Sequence, residues 1–384
     1  MFGSYLFGKM EKIIYQKNIK KIIHFNVPQN NKLEEGYDVY VTDTFDYLSD
    51  ACSKFDLSNK KICIVTDDIV SNLYLNDIEN IFKRLSSNVF SIKLNHGENV
   101  KNNNTINDLY AMLVDHDMNR DDFLVALGGG VIGDITGYLA SSFKRGLNYI
   151  QVPTTLLAQV DASIGGKCAI DFNNYKNIVG AFYQPVLVYS NVMTYKDLPR
   201  EERINGMGEV IKAALIYDKD FFNYLEKSSC EYTNNFLEFL VNIVYNSILV
   251  KKYFVEIDPF DTNERHMLNF GHTVGHAIER ATNYEIKHGQ AITLGMAVAM
   301  KISRNKSLIS VEDEIRFAKT CVSYGLSITM NFTNAFIDSI IANLSQDKKN
   351  TCDGLNYVLL EKIGKANISK NITQDDILTA MNYQ

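Results

Sequence analysis

One stretch near the middle of the chain constrains the fold more than any other. The apolar run Phe123–Leu127 predicts a buried strand, and it leads through Gly128-Gly129-Gly130 into a helical pattern that continues to Leu139. A strand, a glycine turn and a helix in this order bring backbone N–H groups and a helix N-terminus to a pyrophosphate. Glycine suits the turn because a Cβ atom would block the approach of an anion to the backbone. The spacing is neither G-x-G-x-x-G nor the Walker pattern, so the turn alone is equally compatible with a structural role.

Polar side chains follow this unit at the same predicted sheet edge. The strand Tyr149–Val152 ends on Pro153-Thr154-Thr155, which places two hydroxyl groups there. A carboxylate, two ammonium groups and an amide come next, from Asp161, Lys167, Lys176 and Asn177. The stretch as a whole is therefore a much more specific signal than its glycine turn.

The length and the change of pattern along the chain predict two domains. The 384 residues exceed what one ordinary core supports. Strand-like runs alternate with helical patterns to about residue 190, which favours a parallel, Rossmann-like sheet. After Leu198-Pro199-Arg200 the apolar residues recur at three- and four-residue spacing, which favours helices. We expect an extension over residues 1–18, a Rossmann-like domain over 19–192 and a mainly α-helical domain over 193–384, with the active site in the cleft between the domains.

The same patterns predict the individual segments. Further strands are expected at Lys20–Val27, Tyr37–Thr42, Lys61–Thr66, Asn88–Leu94, Val186–Ser190 and Leu355–Leu360. Helices are expected at Glu201–Leu215, Phe221–Glu226, Phe236–Val255, Thr273–Thr282 and Ala291–Arg304.

The composition limits which cellular compartment and which binding partners are expected. The net charge of −6 gives no general attraction to nucleic acid or to anionic membranes, so neither is expected as a partner. Six cysteines lie far apart, at positions 52, 63, 168, 230, 321 and 352, and form no C-x-x-C pair. This pattern indicates reduced, mostly buried thiols in a cytoplasmic protein. The N-terminus lacks the features of a signal peptide, and no run reaches the ~18 apolar residues of a membrane span.

A second group of candidate functional residues lies in the predicted helical half. His272 and His276 are four residues apart and so share one helical face, and His288 follows closely. The zincin pattern H-E-x-x-H is absent, because Thr273 stands in the place of its glutamate. Catalytic zinc needs about three protein ligands and an open position. The candidates are the three histidines and Glu209, and spacing alone favours the pair His272 and His276.

The stretch around the glycine turn resembles the sequences of a known family. Its motifs GGGVIGD, RG-x-x-x-IQVPTTLLAQVD, GGK, KN and GAFYQP occur in this order between residues 128 and 185. With these motifs the chain resembles the 3-dehydroquinate synthase family from about residue 20 to the C-terminus. The resemblance implies an N-terminal Rossmann-like NAD-binding domain and a C-terminal helical metal-binding domain, that is, the α/β plus all-α class.

The resemblance also implies an activity. Members of the family convert 3-deoxy-D-arabino-heptulosonate 7-phosphate (DAHP) into 3-dehydroquinate and phosphate in the shikimate pathway. They use NAD+ and Zn2+, with Co2+ as a possible substitute, and the cofactor is regenerated in each turnover. A homodimer is implied as well. The first 18 residues would precede the family's usual start.

Matching positions imply roles for individual residues. The resemblance assigns the metal to Glu209, His272 and His288 and gives His276 to the substrate phosphate, so it differs from spacing on His276 alone. Lys251 and Arg265 would take the substrate carboxylate. Other phosphate contacts would come from Lys167, Asn177 and one of Lys348 and Lys349, with Lys348 favoured, and from Arg145 of a neighbouring subunit. The substrate hydroxyls would be surrounded by Asp161, Lys212 and Asn269.

Cofactor contacts are implied in the first half of the chain. Asp67 follows the predicted strand Lys61–Thr66, where a carboxylate commonly holds a ribose, although it could instead cap the next helix. The loop His96–Lys101 keeps the two charged groups of the family's cofactor loop. The full implied set is Asp67, Glu98, Lys101, Gly129, Gly130, Val131, Ile132, Gly133, Asp134, Thr154, Thr155, Lys167 and Lys176.

Some positions depart from the family's usual residues. These are His96, Cys168, Asp171, Gly208 and Gln290, and none of them removes a metal ligand or a charged contact named above. Two rival functions remain. One is a sister cyclase such as 2-deoxy-scyllo-inosose synthase or a valiolone synthase, which generally departs from GAFYQP and from the carboxylate-binding pair. The other is an inactive NAD-binding homologue, which would not require the intact metal set.

Overall fold

A seven-stranded sheet forms the centre of the first half of the molecule. A computed structural model describes residues 19–29, 36–173, 175–228, 235–330, 336–337, 339–340, 342 and 357–382. The sheet order is β1-β2-β9-β6-β5-β3-β4, with β1 and β2 antiparallel and every other neighbouring pair parallel. The strands are β1 Lys20–Phe25, β2 Tyr37–Thr42, β3 Lys61–Asp67, β4 Asn88–Leu94, β5 Phe123–Gly128, β6 Asn148–Pro153 and β9 Leu187–Asn191. The predicted Rossmann-like sheet is confirmed.

The central strands are apolar throughout because both faces of the sheet are covered. In β3, Ile62 and Ile64 belong to one core cluster, whereas Cys63 and Val65 belong to the cluster on the opposite side. The helices of this half are α1 Asn76–Lys83, α2 Asn103–Asp115 and α3 Gly130–Ser142. Helix α3 packs against the end of β5, so its N-terminus lies at the carboxyl edge of the sheet.

Helices dominate the second half. They are α4 Arg200–Tyr217, α5 Lys219–Ser228, α6 Phe236–Ile257, α7 His272–Ala281, α8 His288–Asn305, α9 Val311–Ser323 and α10 Gln374–Asn382. Each predicted helix is present, and its ends differ from the prediction by at most three residues; α7, for example, begins and ends one residue earlier than the predicted Thr273–Thr282. The largest core cluster joins these helices to β1 and β2.

Two small hairpins were not predicted as such. Strands β7 Lys167–Phe172 and β8 Tyr175–Phe182 pair antiparallel next to α3, and β10 Tyr357–Lys362 pairs with β11 Lys365–Ser369. Short helical turns complete the described elements, at Leu48–Ala51, Asp68–Val70, Ser71–Leu75, Glu98–Val100, Phe143–Arg145, Ala158–Ala162, Val192–Asp197 and Glu264–Asn269.

Several predictions fall outside the described residues. These are the extension over residues 1–18, Lys348 and Lys349, and the cysteines Cys230 and Cys352. The other four cysteines are free and buried, as predicted. None of the helices in the described ranges has the length and apolar character needed to cross a membrane.

Candidate active site

The glycine turn joins β5 to α3 at the carboxyl edge of the sheet. Gly129 precedes the helix with φ −79°, so no left-handed backbone requires a glycine here. Close packing requires it instead: a Cβ on Gly129 would lie 3.1 Å from Thr155 Cγ2, and one on Gly133 would lie 2.9 Å from Gln151 Oε1. The Gly128 carbonyl accepts a 2.9 Å hydrogen bond from the Thr154 amide. The turn and the threonines therefore form one continuous edge.

Lys101 connects three segments beside this edge. Its buried ammonium lies 2.6 Å from Asp134 Oδ2 and donates a 2.5 Å hydrogen bond to Asn177 Oδ1. Glu98 lies 3.8 Å from the same ammonium and 3.7 Å from Lys176 Nζ. Burial raises the pKa of Asp134, and the nearby Lys101 opposes this shift only in part. Asn177, expected at the substrate phosphate, is thus placed among the expected cofactor residues.

Asp67 ends β3 and caps the turn that follows. Its Oδ1 accepts hydrogen bonds from the backbone N–H groups of Ile69 at 2.9 Å and Val70 at 2.8 Å. The capping alternative is therefore present in the structure, while the role at a ribose stays a prediction. His96, which departs from the family pattern, lies 3.0 Å from Asp68 in the same region.

A π-helical turn presents Asp161 toward the helical half. The buried Lys251 on α6 donates 2.6 Å hydrogen bonds to the backbone carbonyl and to Oδ1 of Asp161. Burial alone would raise the pKa of Asp161, but Lys251 and Lys212 outweigh it and lower this pKa. Conversely, burial lowers the pKa of Lys251 to about 8; Asp161 opposes the shift and Arg265 adds to it. Single π turns of this kind are frequent at functional sites.

Glu209 is the most deeply buried acid of the second half. It is 2% exposed on α4 and makes an ion pair with Lys212 one turn later. Burial alone would raise the pKa of Glu209, but Lys212, His288 and His272 hold it well below its usual value. Neither carboxylate oxygen has a well-formed hydrogen bond in the described part of the chain. A cation bound to these oxygens would satisfy them.

Glycines let α4 and α8 approach closely enough to bring Glu209 and His288 together. A Cβ on Gly208 would lie 2.4 Å from the Gly289 carbonyl oxygen, and one on Gly289 would lie 1.8 Å from the Asn205 carbonyl oxygen. The Gly289 amide donates a 2.6 Å hydrogen bond to Asn205 Oδ1. The departure at Gly208 thus belongs to the packing that positions the acid.

Two histidine nitrogens converge on Glu209. His288 Nε2 lies 3.3 Å and His272 Nε2 lies 3.7 Å from Glu209 Oε1. Ligands that bind one zinc ion at about 2.0–2.1 Å in a tetrahedron lie about 3.3 Å apart. Burial and the neighbouring Lys212 lower the pKa of His272 well below its usual value, which favours the neutral ring that a metal ligand needs. Burial alone would lower the pKa of His288 as well, but the carboxylates of Glu209 and Glu279 raise it to about 10, so a metal ion at its Nε2 would displace a proton. These three residues fit a zinc ion.

His276 and Glu279 extend the same cluster toward solvent. His276 is exposed, and its ring centre lies 5.1 Å from that of His272 and 5.9 Å from that of His288. Potential ligand atoms of His276, Glu279 and His288 also lie within 4.8 Å of one another. The histidine pair favoured by spacing and the ligand set implied by the resemblance therefore both lie close together in space. The structure adds Glu279 as a further neighbour of these histidines. A sequence signal for it existed, because His272, His276 and Glu279 recur at four and three residues on one helical face.

Arg265 is buried behind Lys251. It is 2% exposed and donates hydrogen bonds to the carbonyls of Pro259 at 2.8 Å and Gly165 at 3.0 Å. Its Nε has no partner among the described residues. Lys167 makes an ion pair with Asp261, which sequence reasoning missed because Asp261 lies in an irregular turn without a periodic signal.

Two residues that were expected at the substrate, Arg145 and Asn269, take part in none of the contacts described above. Arg145 is exposed with φ +66°, and its guanidinium has no ion pair within the described ranges. Asn269 is exposed at the end of the turn that precedes His272. Lys348 lies outside the described residues.

The remaining departures from the family's motifs are accommodated locally. Cys168 is buried beside Gly137, and burial raises its pKa to about 12. Asp171 accepts a 2.8 Å hydrogen bond from the Asn177 amide and so shapes the β7–β8 hairpin. Gln290 exchanges two hydrogen bonds with the Ser327 backbone. None of these three is among the residues that surround Glu209.

Similarity to a known family identifies the family of the chain. The family description "3-dehydroquinate synthase N-terminal" matches residues 91–205, and "3-dehydroquinate synthase C-terminal" matches residues 206–350. The chain belongs to the 3-dehydroquinate synthase family. This family is the cyclase of the shikimate pathway, so the chain is an enzyme of this type.

Curated relatives in the 3-dehydroquinate synthase family cover most of the chain. The 3-dehydroquinate synthase of Acetivibrio thermocellus is 35% identical over 91% of this chain and 96% of its own length. That of Francisella tularensis subsp. holarctica is 40% identical over 82% of this chain and 88% of its own length.

Solved structures show the same fold in sister cyclases. A 2-epi-5-epi-valiolone synthase from Streptomyces hygroscopicus subsp. jinggangensis, with NAD+ and Zn2+ bound, has a TM-score of 0.83 at 22% identity and covers 94% of this chain and 99% of its own. A 2-deoxy-scyllo-inosose synthase complexed with carbaglucose-6-phosphate, NAD+ and Co2+ has a TM-score of 0.82 at 25% identity and covers 95% and 100%. The predicted fold class is thus confirmed.

Proposed function

We propose that the chain converts DAHP into 3-dehydroquinate and phosphate with NAD+ and Zn2+ as cofactors. One observation carries the proposal: Glu209, His272 and His288 converge with the spacing that zinc requires, next to the buried Lys212 and to the ion pair of the buried Lys251 with the half-buried Asp161. Zinc bound there would polarise substrate oxygens and lower the pKa of an alcohol. NAD+ at the β5–α3 edge would accept one hydride from the substrate and return it.

Lys251 and Arg265 are proposed to bind the substrate carboxylate. They lie close enough for the positive charge of Arg265 to help lower the pKa of Lys251. The unpartnered Nε of Arg265 leaves an N–H donor for a ligand, and each of the two terminal nitrogens uses only one of its two N–H groups, on Pro259 and Gly165. A buried guanidinium and ammonium side by side favour an anion between them.

Lys167, Asn177 and His276 are proposed to bind the phosphate, together with Lys348. Lys167 is half exposed and paired with Asp261, so the phosphate would compete with that carboxylate for the ammonium. Asn177 is held by Lys101, which ties this part of the substrate site to the cofactor site. His276 stands at the exposed side of the metal cluster.

The edge that binds NAD+ is proposed to comprise the turn Gly129–Asp134, Thr154, Thr155, Glu98, Lys101 and Lys176, with Asp67 at the ribose. Helix α3 begins at Gly130, so its positive N-terminal end faces any anion at this edge. The hydroxyl of Thr154 is buried and lacks a hydrogen-bond partner in the described ranges, which leaves it for a ligand.

We further propose that the first domain ends near residue 192. The protein is also proposed to be a cytoplasmic homodimer, in which Arg145 reaches the phosphate site of the neighbouring subunit.

Asp161 pairs with Lys251 and Lys212 pairs with Glu209 of the metal cluster, so these two side chains are proposed to hold the substrate hydroxyls. Asn269, just before the metal ligand His272, is proposed to do the same.

The decisive assay supplies purified protein with NAD+, Zn2+ and DAHP. Phosphate release and 3-dehydroquinate formation should occur together and at equal amounts. A hexose 6-phosphate, which lacks the carboxylate that Lys251 and Arg265 would bind, should release no phosphate. Turnover of the hexose phosphate without turnover of DAHP would replace the proposal by that of a sister cyclase.

A further inference from the structure

Both ring nitrogens of His288 have defined neighbours. Nε2 lies 3.3 Å from Glu209 Oε1, in the metal cluster. On the other side of the ring, Nδ1 contacts both oxygens of Glu279, at 3.4 and 3.3 Å. Glu279 lies on α7 and is 8% exposed, so this carboxylate is held largely out of water. A buried carboxylate needs such a donor, because an unpaired charge is costly inside a protein.

We propose that Glu279 is a positioning residue that fixes His288 with its proton on Nδ1 and its Nε2 lone pair directed at the metal. A neutral imidazole carries one N–H and one lone pair, and an ionised carboxylate can only accept. Glu279 therefore determines which nitrogen keeps the proton and how the ring is oriented. The inference rests on the proposed metal ligands Glu209, His272 and His288.

The second histidine ligand has the same arrangement with a different acceptor. His272 Nδ1 lies 3.2 Å from the Phe270 carbonyl oxygen, while its Nε2 faces Glu209. His288 is likewise the first residue of its helix, but among the described residues its Nδ1 contacts no backbone carbonyl and faces α7 instead. The side chain of Glu279 supplies the missing acceptor from the neighbouring helix.

A direct role for Glu279 as a metal ligand is the competing interpretation. Ligand atoms of His276, Glu279 and His288 do lie within 4.8 Å of one another. In such a site Glu279 would bind the ion through its carboxylate, whereas here both of its oxygens contact Nδ1 of His288. His276 Nε2 is also 4.0 Å from Glu279 Oε2 and exposed. The buried contact to Nδ1 therefore favours positioning over direct binding.

Two variants of similar length separate these roles from simple packing. Glu279→Gln keeps an oxygen that accepts from Nδ1, whereas Glu279→Met fills the same space and cannot accept. Removal of such a partner weakens metal binding by about 10–100-fold. We expect a Zn2+ dissociation constant raised by about 10–100-fold in Glu279→Met and by less than about tenfold in Glu279→Gln, measured by competition with a chromophoric chelator. The absorption spectrum of bound Co2+ should change in Glu279→Met and remain close to the parent in Glu279→Gln.

Glu226→Gln is the matched control, because Glu226 pairs with Arg316 on α5 and α9 away from the cluster. It should bind Zn2+ like the parent, and all variants should melt cooperatively without metal. Equal losses in the Gln and Met variants would show that the negative charge of Glu279 matters and not its acceptance from Nδ1, and unchanged affinity in the Met variant would reduce Glu279 to a packing role; either result would overturn the inference. Two Zn2+ ions per parent chain, with one lost in Glu279→Met, would make Glu279 a ligand. If instead His272→Ala keeps its full zinc content, the proposed metal set itself fails.

Discussion

The proposed nucleotide edge and the proposed metal cluster differ in how their parts are brought together. At the edge, one continuous strand, turn and helix brings backbone groups to the ligand site, and Gly130 faces Ala162 with ordinary spacing of 3.4 Å for an added Cβ. In the cluster, ligands come from α4, α7 and α8, and Gly289 is required because another backbone lies where its Cβ would be. The edge is therefore local in sequence, whereas the cluster depends on how three helices pack.

This difference has an energetic consequence. A change at an open position of the edge such as Gly130, where an added Cβ meets only an ordinary 3.4 Å contact, should weaken ligand binding and spare the fold. A change at the cluster should alter metal binding and packing together, since buried Glu209 depends on Lys212, His272 and His288 at once. The following predictions test this contrast.

The largest effect is expected at the metal. His272→Ala should lose stoichiometric zinc, and activity should fall roughly a thousandfold or more, because zinc supplies several kcal/mol of charge stabilisation. His276→Ala should keep its zinc and lose activity, since His276 is proposed to bind phosphate. Metal content by atomic spectroscopy, alongside turnover, checks both.

The control separates the loss of metal from the loss of activity. Addition of Zn2+ or Co2+ after chelation should restore the parent and His276→Ala to their starting activities. Loss of metal in His276→Ala would show that the histidine pair favoured by spacing binds the ion.

Substitution of Arg145 tests whether the substrate site is formed by one chain alone or needs a residue from a second subunit. A desolvated arginine–phosphate contact is worth about 1.5–3 kcal/mol, so Arg145→Ala should raise KM by about 10–100-fold. NAD+ affinity should not change, because the arginine is not part of the proposed cofactor edge. Steady-state kinetics and NAD+ titration measure the two quantities.

Mixing variants identifies the donor of the arginine. If each site takes Arg145 from its partner, a heterodimer of Arg145→Ala and His272→Ala has one site with both lesions and one with neither. Its activity at low substrate should approach about half that of the parent dimer. A monomer in sedimentation, or no recovery after subunit exchange, would return Arg145 to its own chain's site.

Two glycine variants compare the regions directly. Gly289→Ala should destabilise the fold by about 1–3 kcal/mol, as overpacking does, and weaken zinc binding. Gly130→Ala should leave the melting temperature nearly unchanged and weaken NAD+ binding by about 10–100-fold, the equivalent of one charge-assisted hydrogen bond. Calorimetric melting and NAD+ titration are the readouts, and equal destabilisation by the two substitutions would remove the contrast.

The smallest effect concerns pH. Burial lowers the pKa of Lys251 to about 8, so its ammonium is present below this pH and is lost as pH rises through it. Since the ammonium is proposed to bind the substrate carboxylate, kcat/KM should fall about tenfold per pH unit above about 8. Lys251→Arg should flatten this limb, because arginine stays charged. An unchanged alkaline limb in this variant would assign the titration to another group.

The edge could be predicted from the sequence because its information is local. The run Phe123–Leu127, the glycines and the threonines after β6 are each read within one segment, and all appear where expected. Five helices of the second half, α4 to α8, were predicted from their apolar repeats for the same reason, whereas α9 and α10 were not predicted. Their ends were less certain, because polar first turns such as that of α8 carry no repeat.

The cluster could be predicted only in part. Spacing identified the His272 and His276 pair, but only packing brings Glu209 and His288 beside His272, and resemblance alone had selected them. Glu279 and Asp261 were missed because their roles depend on partners from other elements. Asn177 was expected at the phosphate, yet its hydrogen bond to Lys101 connects it to the cofactor edge as well.

The most direct test of the account is the fate of NAD+ during turnover, because the two regions must act on one substrate in one cycle. With purified protein, Zn2+, DAHP and substoichiometric NAD+, many equivalents of 3-dehydroquinate should form for each NAD+, and no NADH should accumulate at 340 nm. One NADH per product would identify a simple dehydrogenase and contradict the account.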